Sequence, residues 1–188
     1  MVEEVRTVHK GRVLTLNLER VRLPNGRLAE LEIAHHPGGS AVVAIDAAQR
    51  VCLLRQFRHA AGGWLLELPA GKLDGGEPPF ECARRELAEE AGAIAASWQD
   101  LGSYLSSPGV LTEVIHLYLA RELTLVEAAP EEHEVFEVQW IPLAEAVAMA
   151  NDGRLRDGKS IVGVYRAHEF LGRPRAVAGT GADRAAAA

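Results

Sequence analysis

Cysteine is scarce in this chain of 188 residues: there are two, Cys52 and Cys82. Two thiols cannot staple a fold, so a disulfide scaffold is excluded and the chain must fold on its own core, which its length permits. Cys52 lies in an apolar run and Cys82 on a helical pattern. Both therefore read as buried free thiols, and the compartment as a reducing one. Aromatic residues make up 5% of the chain, and residues 1–56 contain no Phe, Trp or Tyr. No stretch approaches the roughly 18 apolar residues of a membrane span, and residues 1–10 carry no apolar run of the kind that directs export. Positive charge is also in deficit, with 20 Lys+Arg against 26 Asp+Glu and a net charge of −6. A cytoplasmic chain with no nucleic-acid or membrane partner is the expectation. The rest is ordinary for one globular domain: 48% hydrophobic and 24% charged residues exclude a disordered or collagen-like chain.

What is present reads as strands first and helices later. Leu14, Leu16 and Leu18 alternate with polar neighbours, as do Leu31 and Ile33, and Pro24-Asn25-Gly26 supplies a turn, so residues 11–36 predict a β-hairpin. Residues 1–8 add a short strand. Residues 41–45 and 51–57 predict a second hairpin, residues 64–68 a strand, and the Gly- and Pro-rich residues 72–79 a loop. Phe80, Ala83, Leu87 and Ala91 recur at helical spacing, with Gly92 as a C-terminal cap. Strands near 100–105, 115–120 and 135–141 and helices near 143–151 and 159–171 complete a mixed α/β domain of the α+β kind. Residues 1–36 form a small N-terminal subdomain that buries little alone and is expected to pack on a second copy, giving a homodimer. Residues 37–173 form the main domain, and the Ala/Gly-rich residues 174–188 a disordered tail.

Residues 81–92, ECARRELAEEAG, carry the most information. On a helix Glu86 and Glu90 share a face and Glu89 lies beside them, a repulsion of a few tenths of a kcal/mol per pair, roughly. Such a face is either solvated or holds a cation, and hard divalent ions take oxygen ligands of this kind. An anionic chain that handled a phosphate substrate would need such a cation, or local Arg and Lys.

Gly71, Glu77, Arg85, Glu86, Glu89, Glu90 and Gly92, with five residues between the first two and seven between the next, resemble the Nudix box. Agreement at all seven positions is a chance event on the order of one in a hundred million per window at average residue usage. One position departs: Ala93 stands where the family has a larger aliphatic residue. The resemblance implies an α/β/α sandwich with a mixed sheet and a small N-terminal antiparallel sheet, and hydrolysis of a nucleoside diphosphate linked to another group. It implies Glu86, Glu89 and Glu90 as ligands of Mg2+ (Mn2+ also suits), joined by the carbonyl of Ala70. Glu77 and Arg85 become an ion pair that shapes the loop.

Outside the box the chain resembles the ADP-ribose pyrophosphatase branch of the family. Arg58 and Arg55, in Arg55-Gln56-Phe57-Arg58, become holders of the diphosphate. Glu67, in Glu67-Leu68-Pro69-Ala70-Gly71, either touches substrate or orders the metal site. Pro108 lies sixteen residues past Gly92 and, with Glu113, belongs to a loop over the substrate. A general base must come from a closing loop, and Pro130-Glu131-Glu132-His133-Glu134 is such a loop, with Glu134 preferred over Glu132. Adenine stacking would have to use rings outside residues 1–56, or Arg and aliphatic groups; Trp64, Trp98 and Trp140 read as core or interface residues. The expected reaction is Mg2+-dependent cleavage of ADP-ribose to AMP and ribose 5-phosphate. Alternatives are a GDP-mannose or ADP-glucose pyrophosphatase, and, in another class, a non-catalytic sensor of nucleotide sugars.

Overall fold

A computed structural model describes residues 1–129 and 135–173. The expected general base, whether Glu134 or Glu132, and the expected tail 174–188 lie outside the described residues.

The first three strands, β1 (Val2–Lys10), β2 (Thr15–Arg22) and β3 (Leu28–His35), form one antiparallel sheet in the order β1-β2-β3. The β2–β3 turn closes on Gly26 at φ 82°, a left-handed backbone that glycine adopts without strain. Alternation along these strands does not translate into one buried and one wet face: β1 is exposed throughout and Leu14, Leu28 and Leu31 are exposed as well. Among the described residues, this sheet pairs with the rest through a single bridge, Ala34 to Leu111.

The main body holds two sheets. One has the order β7 (Ala70–Lys72), β4 (Gly39–Ala44), β9 (Val114–Leu125), β8 (Ala93–Leu105); the other is β10 (Phe136–Pro142), β5 (Arg50–Arg58), β6 (Gly63–Glu67). β4 and β9 run parallel, which makes the first sheet mixed. The predicted hairpin of residues 41–45 and 51–57 is therefore corrected. Both strands exist, but they belong to different sheets and meet only at the bridge Ile45 to Val51. The physical reason is that β4 is buried along its whole length, with β7 on one edge and β9 on the other, so no edge remains for β5. β8 also begins at Ala93 and not near residue 100; its alanine-rich start has little strand signature.

Helices cover both faces. α1 (Pro79–Ala91) starts on a proline at its first position and stops at Gly92, φ 58°, whose N–H donates to the Leu87 carbonyl. Its Ala83, Leu87 and Ala91 pack on Val42, Ala44, Cys52 and Leu54. Trp98 and Trp140 join that cluster, whereas Trp64 is exposed. α2 (Leu143–Asp152) and α3 (Gly158–Gly172) lie over the other side, where Leu143, Met149, Val164 and Ala167 meet Val43, Leu53, Leu117 and Leu119. The result is the expected α/β/α sandwich. No helix among the described residues is long and apolar enough to cross a membrane.

Candidate functional site

The buried stripe of α1 is not purely apolar: Glu86 and Glu90 are 7% and 1% exposed and turn inward with it. Burying carboxylates is costly unless partners satisfy them, and the partners come from β7 and from within the helix. The Ala70 N–H donates to Glu90 Oε2 at 2.7 Å. Arg85 Nε and Nη2 donate to the two oxygens of Glu77, each at 3.1 Å, while Nη1 reaches Glu86 at 2.7 Å and Glu89 at 2.9 Å. The Glu77 hydrogen bonds, with help from Glu86 and Glu89, hold the guanidinium well above its ordinary pKa, and the same bonds pull the Glu77 carboxyl below its own.

Gly71 fits tightly. A Cβ there would land on the Glu86 side chain, so the bare glycine backbone is what lets β7 lie against the carboxylates. Cys82 is beside this contact, its thiol facing the carbonyls of Gly71 and Lys72 at 3.6 Å. Burial pushes both thiols up to about 12, which makes them inert packing groups.

Glu86 and Glu89, Ala70 and Gly71, Arg58 and Lys159 line one cleft of about 440 Å³. Glu113 lines it as well, 3.3 Å from His36 Nδ1, and Val13 approaches from the β1–β2 connection. Arg58 is gripped by Glu67: Nε and Nη2 donate to its two oxygens at 2.9 and 3.0 Å. Arg55 does not line the cleft. Its guanidinium lies 4.4 Å over the Trp64 ring and 3.4 Å from Glu137. Pro108 is exposed in the loop that follows β8, also off the cleft wall.

Among the described residues no three His, Cys, Asp or Glu groups converge as a metal cluster; Arg85 Nη1 takes an oxygen of Glu86 and one of Glu89. The donor chemistry nevertheless suits a hard divalent cation, since carboxylates and a backbone carbonyl are all oxygen ligands. Sequence reasoning gave no role to Lys159, His36 or Ser40, which the fold also brings to the cleft. The one local signal was Asp157 ahead of Lys159 and Ser160, a helix-capping pattern realised here by Asp157 accepting from the Ser160 N–H at 3.0 Å.

Burial by itself would push Glu67 up, but the hydrogen bonds from Arg58 and the charge of Lys159 outweigh it, and the carboxyl titrates below its ordinary 4.5. A lowered folded pKa adds stability that is fully present above the unfolded value and is lost as pH falls through the folded one. Glu67→Gln is therefore expected to lower the melting temperature at neutral pH, by a loss of about 3 kcal/mol. The gap to wild type should close as pH drops below about 4, in melts followed by circular dichroism.

The NUDIX domain model matches residues 35–162. The chain belongs to the Nudix family. It is 35% identical over 195 residues to the ADP-ribose pyrophosphatase of Mycobacterium tuberculosis (strain ATCC 25618 / H37Rv), covering 95% of this chain and 94% of that protein. It is 41% identical over 121 residues to the GDP-mannose pyrophosphatase of Yersinia enterocolitica serotype O:8 / biotype 1B (strain NCTC 13174 / 8081), 60% of this chain and 63% of that one. The crystal structure of an ADP compounds hydrolase shares the fold at a TM-score of 0.79 and 22% identity, over 91% of this chain and 93% of that chain. The matched Nudix region starts where the N-terminal sheet ends, and it contains every cleft residue named above except Val13.

Proposed function

We propose that the chain hydrolyses the diphosphate bond of ADP-ribose, adding water across it to give AMP and ribose 5-phosphate. The observation that carries this reading is the meeting of the acidic α1 positions with Arg58 in one cleft. Glu86, Glu89, Glu90 and the Ala70 carbonyl are the groups that hold Mg2+, or Mn2+ in its place. When bound, that cation neutralises phosphoryl oxygens and lowers the pKa of water. Arg58, its orientation set by Glu67, donates to phosphate oxygens. Glu113 borders the bound sugar or phosphate and Pro108 shapes the loop beside it, whereas Arg55, engaged with Trp64 and Glu137, does not reach the diphosphate. Glu134, or Glu132, accepts the proton of the attacking water. Two buried free thiols fit a reducing, cytoplasmic setting. Val2, Val5 and Val8, exposed on the first strand of the N-terminal sheet, support a homodimer, which equilibrium sedimentation reads directly.

The test is a turnover comparison at fixed Mg2+ across ADP-ribose, ADP-glucose and GDP-mannose, with products identified in labelled water. ADP-ribose is expected to show the highest kcat/KM. The GDP-mannose pyrophosphatase relative favours that sugar as the second reading, and a preference for it would replace the first. Tight ligand binding with no turnover in Mg2+ or Mn2+ would identify a sensor.

A further inference from the structure

Glu67 at the end of β6 is 2% exposed, yet it serves two cations from distant parts of the chain. Arg58 ends β5 and grips the carboxylate through Nε and Nη2. Lys159, in the first turn of α3, donates from Nζ to Glu67 Oε2 at 2.5 Å and lies 3.1 Å from Asp157 Oδ2. Fastening α3 does not require this second cation. Asp157 already caps the helix, and Ser160 Oγ accepts from the Leu68 N–H at 2.7 Å, tying α3 to the short connection between β6 and β7. What the arrangement adds is a second positive charge on the cleft wall, since Arg58 and Lys159 both line it. A guanidinium has five N–H donors and an ammonium three. With two spent on Glu67, Arg58 keeps three. With one each for Glu67 and Asp157, Lys159 keeps one. The pair combines a planar fork with a point charge, the two forms of cation that bind phosphoryl oxygens. One buried carboxylate offsets their mutual repulsion and limits the entropy each would lose on meeting a ligand.

We infer that Lys159 is a substrate-binding residue, forming with Arg58 a two-cation receiver for the diphosphate. The inference rests on the hydrolase reading and deepens it: phosphoryl oxygens that no metal neutralises are met by these two side chains. The experiment compares wild type, Lys159→Met and Lys159→Arg on the best substrate of the screen above, with melting temperatures recorded alongside. Lys159→Met leaves the Arg58–Glu67 pair in place. It is expected to raise KM about tenfold or more, with kcat changed less than about threefold, as loss of ground-state binding requires. Lys159→Arg, which keeps the charge, is expected to recover most of that loss. A KM unchanged in Lys159→Met, or a lowered melting temperature with an unchanged KM, overturns the inference and assigns Lys159 to holding α3. Wild-type protein that turns over none of the sugars overturns the hydrolase reading, and this inference with it. Turnover by wild type together with a normal KM in Lys159→Met overturns this inference alone.

Discussion

Glu90→Gln is expected to reduce turnover by roughly a hundredfold or more at saturating Mg2+, because a charged ligand of the cation is lost. Glutamine keeps the length of the side chain and an oxygen for the Ala70 N–H, which Glu90 Oε2 holds at 2.7 Å. The β7–α1 contact therefore survives while the charge disappears. That charge is felt beyond the carboxylate itself: it adds to the burial that raises the Cys52 thiol. At Arg58 burial acts in the opposing direction, and the charge adds to the Glu67 hydrogen bonds and charge that raise the guanidinium. A group that only packed the interior would leave the rate unchanged on becoming neutral, whatever happened to stability. Measurement of kcat separates the two roles. A rate within about threefold of wild type at saturating Mg2+, whatever the melting temperature, would remove Glu90 from the ligand set.

Gly71→Ala should be nearly as damaging, by a different route. The backbone at Gly71 is not left-handed, so the requirement is for space and not for conformational freedom. An added methyl group would coincide with the Glu86 carboxylate, which must then swing away from Arg85, or else β7 must leave its place opposite Ser40 on β4. Either movement displaces a proposed ligand by about an ångström or more, a shift that costs on the order of a hundredfold in rate. Overpacking adds a destabilisation of about 1–3 kcal/mol. Gly172→Ala is the control, because a Cβ there meets nothing within 4 Å and its backbone is not left-handed either. Normal kcat in Gly71→Ala would show that Glu86 can move without consequence, and would take it out of the reaction.

The carboxylate helix was legible because its information is local. Glu86, Glu89 and Glu90 lie within two turns of one helix, where spacing alone sets which side chains are neighbours. The same holds for the C-terminal cap: Gly92 ends α1 as its backbone preference requires, although the helix starts one residue earlier, at Pro79. Arg85 with Glu77 was expected from the family resemblance and is found with two hydrogen bonds. The second hairpin was misread for an equally physical reason. A short apolar strand does not say which neighbours it takes, and β4 took β7 and β9.

The chain itself determined most of its elements, the acidic face of α1 and membership in the Nudix family, since these depend on residues close together in the sequence. The short β7 and the start of β8 were not among them. Only the tertiary structure decided that α3 delivers Lys159 to a carboxylate 92 residues away, that His36 meets Glu113 across the cleft wall, and that Arg55 turns to Trp64 and not to the cleft. Such contacts follow from how sheets and helices stack, and no spacing rule reaches across that distance.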